Sequence, residues 1–228
     1  MTKKIRLTVD VVMVILLPML MAYSLIGEAV HEILGTAMLA LLIAHHLLNR
    51  RFYGAIRKGR YGADRIFRTA LDGILLIALL LQPVSGILLS RHLYTFIPAL
   101  PAAATAREIH MVCAYWSFLL MGVHTGTHLR PLRNRMKKRK AAGIAFGSIV
   151  LLVAAYGGYA FFKRGLPEYL IHKNAFAFFD FDEPVVWFLA DYAAITVLAA
   201  AIGFGITEGL SRLSRGRNGN RMEKRRKR

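Results

Sequence analysis

Six long apolar stretches dominate the pattern of hydrophobic and polar positions along this chain. Each approaches the roughly 20 residues that an α-helix needs to cross a bilayer. They predict transmembrane helices at about 9–26, 29–48, 69–90, 107–129, 141–162 and 185–206. The first stretch follows a short basic tail, as in a signal peptide, but it lacks a small-residue cleavage site, so we interpret it as a retained helix. The pattern predicts an all-α, polytopic membrane protein with six transmembrane helices.

The composition supports a membrane protein and affects the interpretation of the charge. Hydrophobic residues make up 56% of the 228 residues, and the formal net charge is +18. The basic clusters lie between the apolar stretches and are not interleaved with aromatic residues, as a base-stacking surface would require. We therefore interpret them as topology signals that also attract anionic lipid, and we expect no nucleic-acid partner. Cys113 is the only cysteine, so neither an internal disulfide nor a CxxCH motif is present.

The distribution of charge predicts the orientation of the helices. Of the 31 Lys and Arg residues, 26 lie in the N-terminal tail, the loops at about 49–68 and 130–140, and the C-terminal segment. The remaining five lie in or beside the loops at about 91–106 and 163–184, the second of which contains an acidic cluster. By the positive-inside rule, both termini and the two basic loops face the cytoplasm. We therefore expect a multi-pass protein of the inner (cytoplasmic) membrane.

Two of the predicted helices carry histidines at matching positions. His31 and His45 are 14 residues apart in the second helix, and His110 and His124 repeat this spacing in the fourth. Fourteen residues fall about 40° short of four full turns, so each pair lies on one helix face, roughly 21 Å apart along the axis. Ionisable side chains within a membrane span are costly, so they usually mark a functional site.

The orientation of the helices predicts which histidines face each other. The second and fourth helices both run from outside to inside, so His31 and His110 lie near the outer surface while His45 and His124 lie near the inner one. Two imidazoles on opposite sides of a haem plane form a bis-histidine site. The pattern predicts a haem-binding four-helix bundle within residues 1–130, with two stacked haems. Both are expected to be haem b, held without covalent bonds, because no CxxCH motif is present.

Two further histidines leave the assignment of the inner ligands open. His46 follows His45 directly, and His128 lies one turn beyond His124. Each could replace its neighbour as the axial ligand, hydrogen bond to a haem propionate, or line a quinone pocket.

Other polar and small residues are predicted to support the haems. Gly73 and Gly86 lie in the third helix at the depths of the inner and outer sites, where glycine lets a flat macrocycle approach the backbone, although glycine is also common in membrane helices. Arg91 and Arg107 are candidates for contacts with the outer haem propionates. We interpret Asp72 as paired with the arginine four residues earlier rather than as a proton carrier.

Three segments of the chain resemble a known family. The segments HEILGTAMLALLIAHHLLNRRF, SGILLSRHLY and REIHMVCAYWSFLLMGVHTGTHL together resemble the flavinylation-associated cytochrome family, which is related to the b-type membrane cytochromes of hydrogenases and formate dehydrogenases. The resemblance covers about residues 1–130. It implies an electron conduit to an extracytoplasmic protein that carries covalently attached FMN. It also implies that the haem ligands are His31, His45 or His46, His110, and His124 or His128. This chain has no evident flavin-attachment domain, so the FMN-carrying protein would be a separate partner.

These expectations combine into one function with two alternatives. The expected function is transmembrane electron transfer from a membrane quinol or an inner-side donor to an extracytoplasmic redox protein, as an electron-transfer subunit rather than a self-contained enzyme. Residues 131–211 add two helices of open role and the outer loop at 163–184, and residues 212–228 form a basic cytoplasmic tail. The alternatives are a haem-free scaffold or transporter whose histidines bond between helices, and the haem subunit of a ferric or sulfoxide reductase.

Overall fold

The computed structural model describes residues 2–59, 61–97, 103–174 and 176–226, without the side chains of residues 2 and 215–226. Within these ranges the only regular secondary structure is α-helix, which confirms the all-α prediction. The helices are α1 (Thr2–Met21), α2 (Tyr23–Ile26), α3 (Glu28–Leu48), α4 (Arg51–Ile56), α5 (Ala63–Leu89), α6 (Ala103–Thr127), α7 (Arg130–Lys137), α8 (Lys140–Lys163), α9 (Leu166–Leu170) and α10 (Val185–Arg226).

Each of the six predicted long helices corresponds to a helix in the structure, namely α1, α3, α5, α6, α8 and α10, but their ends differ from the prediction. The loops predicted at 49–68, 130–140 and 163–184 contain the short helices α4, α7 and α9. The predicted basic tail at 212–228 continues α10 as far as Arg226, because its Lys and Arg are good helix formers and no proline interrupts them. The predicted loop at 91–106 is described only up to residue 97 and from residue 103.

Four of the described helices are long and apolar enough to cross a membrane: α3, α5, α8 and α10 between Val185 and Ser214. Their outward faces carry large apolar side chains, such as Ile77, which is 63% exposed, and Leu151, which is 70% exposed. Such faces are stable against lipid rather than water, so the chain has the make-up of a multi-pass membrane protein. Helix α1 is less apolar because it contains three cations and Asp10, and α6 is less apolar because it contains histidines.

Helix α6 lies at the centre of the molecule. It packs between α5 and α10, while α10 also packs against α8, and α1 packs against α3. Small residues allow α6 and α10 to approach closely. A Cβ added to Gly126 would overlap the backbone carbonyl of Ala200, and one added to Gly203 would overlap that of Val123. Close backbone approach through glycine is a common way for membrane helices to pack.

Two buried carboxylates attach α10 to its neighbours near the two ends of its apolar part, Val185–Ser214. Asp191, which is only 1% exposed, accepts hydrogen bonds from Lys163 Nζ at 2.9 Å and from Arg164 Nε at 2.7 Å. Near the other end of α10, Glu208 accepts from Arg130 Nε at 2.8 Å. Because removing one partner would leave a buried charge unpaired, these ion pairs favour one arrangement of the helices. Helix α10 therefore belongs to the same packed body as α5 and α6.

We expect Gly203→Ala to destabilise the protein, because the added methyl group would collide with the rigid backbone of α6 at Val123. Overpacking of this kind costs about 1–3 kcal/mol. Gly205→Ala is the matched control, since it lies two residues away on α10 and a Cβ there meets nothing within 4 Å. Unfolding in detergent, monitored by circular dichroism, should show a lower free energy of unfolding for Gly203→Ala alone. Equal stability of the two variants would contradict the close approach of α6 and α10.

Candidate functional site

The structure brings together the two histidines that were expected near the outer surface. The rings of His31 on α3 and His110 on α6 lie 6.2 Å apart, centre to centre, at an interplanar angle of 71°. An ion bonded to two imidazoles at about 2 Å from each nitrogen separates the ring centres by roughly 6 Å. The distance between these two rings therefore suits a shared metal ion. Their contact also agrees with parallel α3 and α6.

The hydrogen bonds of His110 determine its tautomer. Its Nε2 lies 3.1 Å from the side-chain nitrogen of Gln82, and its Nδ1 lies 3.2 Å from both the backbone oxygen of Gln82 and the hydroxyl of Ser85. An amide nitrogen can only donate, so Nε2 accepts and Nδ1 carries the proton. A neutral imidazole with its lone pair on Nε2 is a form that can bind a metal, and here that lone pair accepts a hydrogen bond from the Gln82 amide.

One of the two predicted glycines lies beside the outer pair. A Cβ on Gly86 would lie 3.1 Å from Cε1 of His110, so glycine makes room for the histidine ring itself, and close approach of a macrocycle to Gly86 stays a prediction. The Nδ1 atom of His31 is buried and has no hydrogen-bond partner among the described residues. Beside Gly73, the glycine predicted at the inner site, an added Cβ would meet no described atom within 4 Å.

A carboxylate outside the predicted set of site residues organises the outer end of the bundle. Glu32 accepts a hydrogen bond from the hydroxyl of Ser90 at 2.6 Å and from the backbone N–H groups of residues 91–93 at 2.8–3.2 Å. These bonds connect the loop after α5 to α3, next to His31. Hydrogen bonds to a charged acceptor are stronger than neutral ones. Glu32 therefore fixes the start of the loop after α5 against α3.

The two arginines predicted to contact outer propionates both lie at the outer end. The guanidinium of Arg91 is 3.9 Å from the carboxylate of Glu28, and its side chain is 68% exposed. The guanidinium of Arg107 lies over the ring of Phe176, 5.3 Å from its centre. A contact of either arginine with a propionate stays a prediction.

At the inner end, two histidines donate to carboxylates on neighbouring helices. Nδ1 of His45 lies 2.8 Å from Asp10 on α1, and Nδ1 of His124 lies 2.7 Å from Asp72 on α5. A carboxylate only accepts, so each Nδ1 carries a proton and each Nε2 presents a lone pair. A carboxylate behind the imidazole is the usual support of a metal-binding histidine, because it fixes the ring and raises its basicity.

The predicted pairing of Asp72 with Arg68 is wrong. The packing of α5 against α6 brings Asp72 to His124, and no ion pair within 4.0 Å joins Asp72 to Arg68 in the described residues. The sequence separation of four residues favours such a pair on an isolated helix, but the stronger partner comes from the adjacent helix.

The other two inner histidines lie beside these pairs. Nδ1 of His46 is 2.5 Å from the hydroxyl of Tyr53 on α4. His46 also lies within electrostatic range of His124. The ring of His128 is 4.8 Å from that of His124, centre to centre. Both His46 and His128 therefore remain alternatives for the inner ligands, as the sequence left them.

At the inner end, α1 and α5 each place an aspartate against a histidine of α3 or α6. The described residues contain no group of three or more His, Cys, Asp or Glu side chains placed to hold a bare metal ion. A haem iron needs only two ligands from the protein, because the macrocycle supplies the other four. The separation of His31 and His110 at the outer end is compatible with that requirement.

Besides Asp72, four residues that support the site were not predicted as part of it. They are Asp10, Glu32, Gln82 and Ser85. A signal for Asp10 and Glu32 was present, because each is the one acidic residue of a predicted apolar helix, and a charge there needs a partner. No comparable signal identifies Gln82 or Ser85, whose partners depend on how α5 and α6 pack.

Comparisons with known proteins add no assignment. No family model matches the chain, and no curated protein or solved structure matches it either.

We expect Glu32→Gln to loosen the loop after α5, because the variant loses the charge that strengthens four hydrogen bonds. Hydrogen exchange of the backbone amides of residues 91–93 should become about 10-fold faster or more, as expected for charge-assisted bonds of about 1.5–3 kcal/mol. Glu108→Gln, at an exposed position on α6, is the control and should leave these amides unchanged. Unchanged protection in Glu32→Gln would show that the carboxylate does not hold this loop.

Proposed function

We propose that this chain is a diheme b-type cytochrome that transfers electrons across the inner membrane. The observation that carries the proposal is the arrangement of histidines at both ends of the bundle formed by α1, α3, α5 and α6. In three of them, His45, His110 and His124, the proton lies on Nδ1, so Nε2 is the atom that can bind a metal. A histidine that only bonds between helices would not require the same tautomer to recur at both ends of the bundle.

All six long helices cross the bilayer in this proposal, with both termini in the cytoplasm. The charge distribution supports that orientation, because 26 of the 31 Lys and Arg residues then face the cytoplasm. Helix α6 crosses although it is not apolar all round, because α5 and α10 cover two of its sides. Asp10 on α1 is tolerated within the membrane because His45 supplies it with a hydrogen-bond partner.

The proposed ligands are His31 and His110 for the outer haem, and His45 and His124 for the inner haem. Haem iron supplies reversible one-electron chemistry when bound. The residues of the chain then set its surroundings. Asp10 and Asp72 orient the inner imidazoles, the backbone oxygen of Gln82 and the hydroxyl of Ser85 orient His110 through Nδ1, and Gly86 makes room for the ring of His110.

The proposed role is that of a carrier, not of an enzyme that activates oxygen or a substrate. Two histidines on each iron leave no open coordination position for a substrate. Electrons enter at the inner end from a membrane quinol or an inner-side donor and leave at the outer end to an extracytoplasmic protein. By its resemblance to the flavinylation-associated cytochromes, the acceptor is a separate FMN-carrying protein.

A haem-free scaffold is the second candidate, and one observation favours it. The bonds from His45 to Asp10 and from His124 to Asp72 already join neighbouring helices, as structural histidines do. A scaffold does not explain why His31 and His110 approach each other at the other end of the same two helices. A visible absorption spectrum separates the two candidates.

The first test of the proposal is haem content. Purified protein should give a reduced-minus-oxidised b-type spectrum with two haems per chain. His31→Ala and His110→Ala should remove the same haem, and the double variant should lose no more, because one haem needs both ligands. His45→Ala and His124→Ala should remove the other haem.

The haem content of these histidine variants tests the separate claims of the proposal. Absence of haem would leave the scaffold as the explanation. Loss of the same haem in His31→Ala and His124→Ala would contradict the parallel arrangement of α3 and α6. Loss of the inner haem in His46→Ala or His128→Ala, with the neighbouring variant intact, would move only the ligand assignment.

The second test concerns the carboxylate behind His124. We expect Asp72→Asn to weaken binding of the inner haem about 10- to 100-fold, the usual cost of losing such a partner. The midpoint potential of that haem should rise, because a less basic imidazole stabilises ferric iron less. Asp64→Asn is the control, since Asp64 is two turns away on α5 and its carboxylate lies near Ser211 rather than a histidine. A potential that falls, or that changes equally in both variants, would contradict this role of Asp72.

A further inference from the structure

A cavity of about 520 Å³ opens at the inner end of the bundle, between α4 and α5. Its apolar wall includes Phe52 and Ile56 of α4. Its polar part includes Lys58, Arg68, Asp72 and His128. The cavity therefore reaches from the basic inner surface to the aspartate that supports His124. A ligand that fills it needs both an apolar body and a polar end.

Arg68 indicates that the polar end of the ligand carries negative charge. Its Nε atom is buried and has no hydrogen-bond partner, and no carboxylate lies within 4.0 Å of its guanidinium among the described residues. Asp64 and Asp72 each lie four residues from Arg68 on α5, but neither pairs with it, and Asp72 accepts from His124 instead. A buried N–H group without a partner is costly, and an oxyanion is the ligand whose geometry matches a guanidinium group. A neutral ligand would leave this charge uncompensated.

The position of Arg68 indicates which oxyanion it binds. It lies one turn before Asp72 on α5, about 6 Å closer to the cytoplasmic surface. A haem bound at His124 has an apolar macrocycle and two carboxylate groups on one edge. Charged carboxylates are unfavourable in the hydrocarbon region, so this edge should face the nearest polar surface. In this protein, that surface is the inner one, where Arg68 and Lys58 lie.

We infer that this inner cavity binds the propionate edge of the inner haem, with Arg68 as the cationic partner of a propionate. The inference rests on the proposed function and extends it to a residue on α5 that holds no iron. The phosphate of an anionic phospholipid is an oxyanion too, and the experiment distinguishes it from a propionate.

The test compares haem with its dimethyl ester, in which both propionates are neutral. Full-length His31→Ala protein, prepared without haem, retains only the inner site and is titrated with each compound by visible absorption. When Arg68 is present, the affinity for haem should exceed the affinity for the ester by about 10-fold or more, as expected for a hydrogen bond between charged groups. In Arg68→Leu this haem-to-ester affinity ratio should approach one, because affinity for haem falls while affinity for the ester is unchanged.

Two further variants complete the design. Arg57→Leu removes a cation from the same basic segment at a position outside the cavity, so it should keep the full ratio. Arg68→Gln keeps a polar side chain and should also lose the ratio, which covers the case that leucine prevents folding. Circular dichroism and gel filtration establish that each variant is folded. In the protein with both haems, Arg68→Leu should lower the midpoint potential of the inner haem, because a positive charge near ferric iron is lost.

Each outcome supports or overturns the inference. A haem-to-ester affinity ratio in Arg68→Leu or Arg68→Gln as high as in the protein with Arg68 overturns the inference. Loss of co-purified anionic phospholipid in Arg68→Leu, with the haem-to-ester ratio unchanged, assigns the cavity to a lipid phosphate and also overturns it. Protein that binds neither compound overturns the proposed function together with this inference. Two haems in the wild-type protein with an unchanged ratio in the variants overturn the inference alone.

Discussion

A histidine in an apolar helix is costly unless a neighbouring helix supplies a partner for its ring, and three of the histidines on α3 and α6 meet this constraint. Asp10 on α1 serves His45 on α3, and Asp72 on α5 serves His124 on α6. The same logic extends to the outer end, where α5 supplies Gln82 and Ser85 to the ring of His110. Helices α1 and α5 therefore support the histidines that α3 and α6 carry.

This support has a chemical consequence as well as a structural one. Each bond to Nδ1 removes one of the two ring nitrogens from competition and leaves Nε2 as the lone-pair donor. An imidazole prepared in this way loses little entropy when it binds a metal, since its ring is already oriented. The same carboxylates would raise the basicity of the ligands and so influence a redox potential. The proposed electron transfer depends on that influence, because both irons would have the same kind of ligand and would differ mainly in their surroundings.

The second half of the chain stabilises the first. Helix α10 approaches α6 at Gly126 and Gly203 so closely that no side chain fits between the backbones. The ion pairs of Asp191 and Glu208 hold the two ends of the apolar part of α10 to α8 and α7. Because α6 carries the outer ligand His110 and the inner ligand His124 in the proposal, α10 helps to hold in place the helix that joins both sites.

The sequence by itself determined the all-α class, the six long helices and the matched spacing of the histidines, because hydrophobic runs and positions along one helix are local properties. It also predicted that His31 approaches His110, since charge at the helix ends sets direction and direction sets depth. The partners of Asp10, Glu32 and Asp72 were decided only by the tertiary structure. They depend on how far each helix is rotated about its own axis and which neighbour it faces. That rotation results from packing over the whole bundle, so the local preference of Asp72 for an arginine one turn away gave way to His124.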